Sequence, residues 1–263
     1  MGTLPISLWQ SPWPERVCHT SPRLFLCLDY DATLASHAAC SGNTTLTSDV
    51  LTLLSRLVQH PYYSVALVSG RSLEDLRRRV PLEGASYIGT HGCEVCTPQG
   101  EAHLLIPGGV VAMAVSRLRQ DLTAVLREVP DLILEDKRYA LALHYCDARP
   151  QDEWAVEAFL SAVRRYQRKG ITLEIVHGKK MVEARPVGSN KGKAIRFLLS
   201  GEPVSTLPMY FGGLLTDEDA FTTLAGHGIT VVVADPPRPS AAQYCVRNSQ
   251  EVVRFLSLLL KTQ

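Results

Sequence analysis

Two hydrophobic rhythms run along the chain, and the change from one to the other divides it. Residues 24–28 are an unbroken apolar run, Leu-Phe-Leu-Cys-Leu, that ends in Asp29. Such a run marks a central strand of a parallel sheet, buried on both faces and delivering polar residues at its carboxyl end. A helix is expected over 49–59, with Val50, Leu53, Leu54, Leu57 and Val58 at helical spacing, Thr47 or Ser48 as cap and Pro61 beyond its end. A second buried strand over 64–68 runs into Ser69-Gly70-Arg71. Ser72 then caps another helix, with Asp75 placed for a capping box. Residues 87–89 read as a weaker third strand.

After Cys96 the rhythm changes. Between about 97 and 185 the pattern predicts a strand, a helix over 110–129, strands over 132–135 and 139–145, a helix over 153–169, and strands over 171–176 and 181–184. Tyr139, Leu141, Leu143 and Tyr145 alternate with Ala140, Ala142 and His144, as in a sheet covered unequally on its two faces. Gly178 falls between the last two strands, as in a hairpin. The first rhythm returns at Asn190, with a helix over Lys191–Leu199, a strand over 209–212, a helix over 217–225, a strand over Ile229–Val233 and a final helix over 250–260. Strand and helix alternate on both sides of the insertion, which predicts an α/β fold: one doubly wound parallel sheet with an inserted α+β cap. The expected division is 1–96 and 187–263 for the core and 97–186 for the cap.

Composition narrows the partners. The chain has 263 residues, 46% hydrophobic and 20% charged, with a formal net charge of +1, so neither nucleic acid nor an acidic membrane surface is an expected partner. Arg77-Arg78-Arg79 and Arg164, Arg165, Arg168 and Lys169 read as solvated helix faces. Seven scattered cysteines, an odd number, point to reduced thiols and a cytoplasmic location. Cys93 and Cys96 lack the second pair that a zinc site needs, and they sit on an expected strand rather than at a helix start. The N-terminal region has no basic stretch followed by an apolar core, so no signal peptide is expected, and no apolar run reaches membrane-spanning length.

In an open α/β sheet, ligands gather beyond the carboxyl ends of the strands. Four polar clusters lie there. Asp29 and Asp31, two residues apart in extended chain, point to one side, so one can attack phosphorus while the other gives a proton to the leaving oxygen. Ser69-Gly70-Arg71 opens a helix, a natural phosphate cradle. Lys191, at another helix start, can neutralise phosphoryl oxygens. The fourth runs Gly212-Gly213-Leu214-Leu215-Thr216-Asp217-Glu218-Asp219 and offers a carboxylate for a divalent cation. Each cluster has an ordinary reading as a turn or a helix cap. Their order, each after the expected element, is the stronger signal.

That order resembles the haloacid dehalogenase superfamily. More narrowly, Asp29-Tyr30-Asp31, Ser69-Gly70-Arg71, His91-Gly92-x-Glu94, Gly178-Lys179-Lys180-x-Val182-Glu183-x-Arg185-Pro186, Asn190-Lys191-Gly192-Lys193-Ala194 and Thr216-Asp217-Glu218-Asp219-Ala220-Phe221 resemble the trehalose-6-phosphate phosphatases. The resemblance implies a phosphatase acting on trehalose 6-phosphate through an aspartyl-phosphate. Asp29 would be the nucleophile and Asp31 the general acid/base, with Ser69, Gly70, Arg71 and Lys191 around the phosphoryl group. Magnesium (Mg2+) would bind Asp29, the Asp31 carbonyl and Asp217, while Glu94, Lys179 and Glu183 would read the sugar. A different sugar phosphate, such as a mannosyl- or glucosylglycerol-type one, is the alternative substrate. A non-catalytic domain that binds sugar phosphate or a trehalose-phosphate synthase partner is the alternative class. Two departures bear on that choice. Ala32 stands where the family has Gly, and Gly213-Leu214 stands where it has one or two Asp.

Overall fold

The computed structural model describes residues 3–14, 23–35, 45–127, 132–145, 150–178 and 180–261. The chain divides into two compact units, one built from residues up to 103 and from 190 onward, the other chiefly from 104–189. The exchange therefore falls later at both ends than the sequence pattern placed it. The cause is a short hairpin. After the turn in which Thr97 N bonds to Glu101 O at 2.9 Å, the chain returns as a strand beside the first unit's sheet.

The first unit contains β1 (Ile6–Ser7), β2 (Leu24–Asp29), α1 (Ser48–Val58), β3 (Tyr63–Val68), α2 (Leu73–Arg79), β4 (Ser86–Gly89), β5 (Glu94–Cys96) and β6 (Ala102–Leu104). After the second unit it resumes with α5 (Lys191–Leu199), β11 (Leu207–Gly212), α6 (Glu218–Leu224), β12 (Ile229–Val233), β13 (Tyr244–Val246) and α7 (Ser249–Leu259). The strands form one sheet in the order β1-β13-β12-β11-β2-β3-β4-β5-β6, parallel from β1 to β4 and antiparallel at β5. All six residues of β2 are buried, which is why its sequence is apolar without alternation. Leu54 and Leu57 of α1, Leu76 of α2 and Phe255 of α7 pack with the sheet in one core. The strands β1, β6 and β13 are two or three residues long, too short for a period-two pattern to announce them.

The second unit contains α3 (Gly108–Leu126), β7 (Leu132–Asp136), β8 (Leu141–Tyr145), α4 (Pro150–Arg168), β9 (Leu173–Gly178) and β10 (Met181–Pro186). Its four strands form an antiparallel sheet in the order β7-β8-β10-β9. Val111, Ala114, Val115, Leu118 and Leu122 form the buried stripe of α3, and Ala155, Phe159, Ala162 and Val163 that of α4. Both stripes share a core with Leu141, Leu143, Val182 and Ala184 of the sheet.

Candidate active site

The parallel sheet reverses its direction of winding between β2 and β11, whose neighbours lie on opposite sides. A crevice opens at the carboxyl ends of strands at such a switch point. Asp29 ends β2, and Gly212 ends β11. Lys191 opens α5, behind the Asn190 side chain, which accepts from Lys193 N at 2.8 Å and caps the helix. Its ammonium donates to Asp29 Oδ1 at 2.7 Å and to Asp217 Oδ1 at 2.6 Å. All three side chains are buried. The Asp217 carboxylate takes two further bonds, from the Tyr210 hydroxyl at 2.7 Å and from Leu214 N at 2.8 Å. Burial and the Asp217 charge push the Asp29 pKa well up, against the pull of Lys191. Burial works against the Lys191 charge, yet the two carboxylates outweigh it and raise its pKa. Burial, reinforced by Asp217, keeps the Tyr210 hydroxyl protonated as a donor.

Asp31 lies beyond the strand end. Arg71 grips its carboxylate by two edges, Nε to Oδ2 at 3.1 Å and Nη2 to Oδ1 at 2.8 Å. Ser69 donates from Oγ to Asp31 Oδ2 at 3.1 Å and accepts from Arg71 N at 3.1 Å. Arg71 also reaches Asp75 through Nη1 at 3.3 Å, and its guanidinium lies 5.5 Å from the Tyr30 ring centroid. Gly70 allows the His91 ring to close on the loop, since a Cβ there would lie 2.4 Å from His91 Cε1. The Ser-Gly-Arg turn thus sits beside Asp31, and Ser72 caps α2 through Asp75 N as its sequence predicts.

The loop after β11 is where the chain departs from expectation. Ala32 has φ of 62°, the left-handed region that glycine adopts without a Cβ penalty. A Cβ added at Gly213 would lie 2.7 Å from the Ala32 carbonyl oxygen and 3.3 Å from Ala32 Cβ. A carboxylate at 213 therefore has no room unless one of the two loops moves. Asp217, expected as a cation ligand, has its carboxylate filled by Lys191, Tyr210 and Leu214 N. The Asp31 side chain is held by Arg71 and Ser69, which leaves Asp29 Oδ2, in contact with Thr33 Oγ1 at 3.4 Å. No group of three His, Cys, Asp or Glu among the described residues is placed to hold a metal ion. These donors do not by themselves fit a divalent cation.

The residues expected to read a sugar belong to different units of the chain. Glu94 is buried in the first unit, where its Oε2 accepts from Leu73 N at 3.3 Å and from Thr90 Oγ1 at 2.7 Å. It completes the capping of α2. Lys179 lies outside the described residues. Glu183 is buried on β10 and takes Lys137 Nζ at 3.1 Å. Glu135 Oε2 forms a longer ion pair with this lysine at 3.8 Å and lies 2.8 Å from His144 Nε2. Glu135 and Glu183 both stand opposite Ala142 in register, which gathers the four side chains on one sheet face. Sequence reading passed over Lys137, Glu135, His144 and Tyr210. A polar residue amid apolar strand residues was the available signal, but the register that unites them joins separate strands.

The parallel sheet with its switch point between β2 and β11 gives the chain the fold of a haloacid dehalogenase-like hydrolase from Bacteroides thetaiotaomicron, with a TM-score of 0.62, 15% identity, and 89% of this chain and 98% of that one covered. The chain belongs to the trehalose-phosphatase family, whose model matches residues 27–250. It is 30% identical over 268 residues to a trehalose-phosphate phosphatase of Mycobacterium marinum, an alignment covering 98% of this chain and 66% of that protein. The chain thus spans just under two thirds of that relative's length. Among solved structures it is similar to the C-terminal domain of Candida albicans trehalose-6-phosphate phosphatase, with a TM-score of 0.81, 21% identity and 99% of each chain covered. It is also similar to the C-terminal domain of a Candida albicans trehalose synthase regulatory protein, with a TM-score of 0.74, 16% identity, and 97% and 99% covered. No helix among the described residues is long and apolar enough to cross a membrane.

Proposed function

We propose that the chain hydrolyses trehalose 6-phosphate to trehalose and inorganic phosphate. The observation that carries this is the buried cluster of Lys191 with Asp29 and Asp217, in a chain of this family. In the proposed reaction an Asp29 oxygen attacks phosphorus and the phosphorus–sugar oxygen bond breaks, with Asp31 giving a proton to the departing oxygen. Asp31 then takes a proton from water, which attacks phosphorus and releases phosphate, restoring the Asp29 carboxylate. Lys191 holds the Asp29 carboxylate in place and supplies positive charge beside the phosphoryl oxygens. Ser69 and Arg71 orient Asp31, and Asp217 is read as the anchor of Lys191. Magnesium belongs to the family resemblance, and no step is routed through it because its protein ligand set is incomplete. Glu183 and Lys179 are assigned to the sugar by resemblance, with Lys137 as the group that holds Glu183. We place the chain in the cytoplasm from its cysteine content.

A second reading has a specific observation behind it. Gly213 against Ala32 removes the place of a cation-binding carboxylate, which suits a sugar-phosphate binder that associates with a trehalose-phosphate synthase. The likeness in fold to a trehalose synthase regulatory protein domain favours looking for such a partner. Phosphate release over a panel of sugar phosphates separates the two. Selective release from trehalose 6-phosphate is expected. Release from mannosyl- or glucosylglycerol-type phosphates instead would move the substrate, and no release from any sugar phosphate would leave the non-catalytic reading.

A further inference from the structure

Asp31 stands beyond the end of β2, and an acid/base there must meet first the leaving oxygen and then a water with the same carboxylate. What fixes that carboxylate comes from α2. Arg71 spans two acids in one plane: Nε and Nη2 meet Asp31 at 3.1 and 2.8 Å, and Nη1 meets Asp75 at 3.3 Å. Asp75 is in turn held from within the helix. Arg79 Nε donates to its Oδ2 at 2.7 Å, and Arg78 Nη2 donates to its Oδ1 at 3.1 Å. The Arg78 side chain is 71% exposed and adds little, whereas that of Arg79 is 18% exposed, turned in from the solvated face that the run of arginines suggests. The cap of α2 uses the Asp75 backbone N–H, on Ser72 Oγ at 3.2 Å, and leaves the carboxylate to the arginines.

A guanidinium is a rigid fork, so fixing one edge aims the other. With Asp75 on Nη1, the edge that meets Asp31 is referred to a helix rather than to the loop that carries the acid. Without Asp75 that reference to α2 is lost. We propose that Asp75 is the positioning residue of Asp31, acting through Arg71, so that α2 sets where the acid/base stands. The inference rests on reading Asp31 as the acid/base of a phosphatase.

Two measurements on the full chain test it. Phosphate release from trehalose 6-phosphate is compared for wild type, Asp75→Ala, Arg71→Lys and the double variant. Asp75→Ala is expected to lower kcat by about tenfold or more while KM changes by less than about threefold, because the acid is misplaced and the substrate contacts remain. Arg71→Lys keeps the charge but not the fork, so Asp75→Ala added to it is expected to cost less than about threefold further. Asp75→Asn keeps a neutral acceptor for Nη1 and is expected to fall between wild type and Asp75→Ala; it carries the comparison if the alanine variant does not fold. The second measurement needs no turnover: NMR of the Arg71 Nε–H is expected to show exchange with water that quickens by about tenfold or more in Asp75→Ala. Three results would overturn the proposal: an unchanged kcat in Asp75→Ala, equal losses from Asp75→Ala with and without Arg71→Lys, or an Arg71 signal that Asp75→Ala leaves as it was. Faster exchange at Arg71 in a chain that releases no phosphate from any sugar phosphate would keep the anchoring of Asp31 and sink the phosphatase reading. Release from trehalose 6-phosphate at the same kcat in wild type and Asp75→Ala would do the reverse.

Discussion

Lys191 is the residue on which the buried cluster depends. Its ammonium is buried because two carboxylates meet it at 2.7 and 2.6 Å. Removing it leaves Asp29 and Asp217 facing each other without a counter-charge. Lys191→Met is therefore expected to destabilise the fold by about 3–5 kcal/mol, the usual loss when a buried ion pair is broken from one side. Urea unfolding measures this, and an unchanged midpoint would mean that the pairing is worth little. Ala32 makes a smaller prediction of opposite sign. At φ of 62° its Cβ is strained, so Ala32→Gly is expected to stabilise the protein by about 0.5–1 kcal/mol after the entropy that glycine adds to the unfolded chain. A fall in melting temperature would contradict that. Asp29, Asp31, Ser69, Arg71 and Lys191 were legible in the sequence as residue types at strand ends and helix starts. The sign of φ at Ala32 was not, because turn geometry depends on the neighbouring loop.

The elements were legible where hydrophobic spacing is long enough to set a period. α5 and β12 begin and end where the pattern placed them. β2 shows the uninterrupted burial that its apolar run implies, and β3 shows it from Val65 to Val68, after a half-buried Ser64. What escaped is what depends on pairing between distant segments: the β5–β6 hairpin, which moves the boundary between the units, and the joining of Lys137, Glu135 and His144 to Glu183. Glu94 shows how a polar residue in a recognisable motif can serve an element. Its carboxylate takes Leu73 N at the start of α2, so Glu94→Ala is expected to cost about 1–2 kcal/mol of stability. Equal stability of the variant would show that α2 does not need the cap. The loop after β11 carries the other prediction at this scale. Gly213→Asp must push its Cβ against the Ala32 backbone, so it is expected to lower the melting temperature by itself. A Gly213→Asp variant as stable as wild type would show that the two loops move apart readily.

For the molecule as a whole, the sheet order explains why segments scattered through the chain matter together. β2 and β11 are neighbours although the whole second unit lies between them in sequence. The switch point between them brings Asp29 and Asp217 to one lysine. The alternation of strand and helix made that layout readable before any contact was known, since parallel winding sends every strand's carboxyl end to the same side. The second unit was readable as an α+β insertion for the same reason, its pattern of strands and helices differing from that of the core. Its four-strand order was not, because β10 lies between β8 and β9 against the sequence order. The central claim concerns Asp29. Acid-quenching the protein during turnover of trehalose 6-phosphate, followed by peptide mass spectrometry, should find one phosphoryl group on the peptide carrying Asp29. Asp29→Asn should show neither that adduct nor phosphate release. Phosphate release at the wild-type rate by Asp29→Asn, with no modified aspartate in either protein, would contradict the assignment.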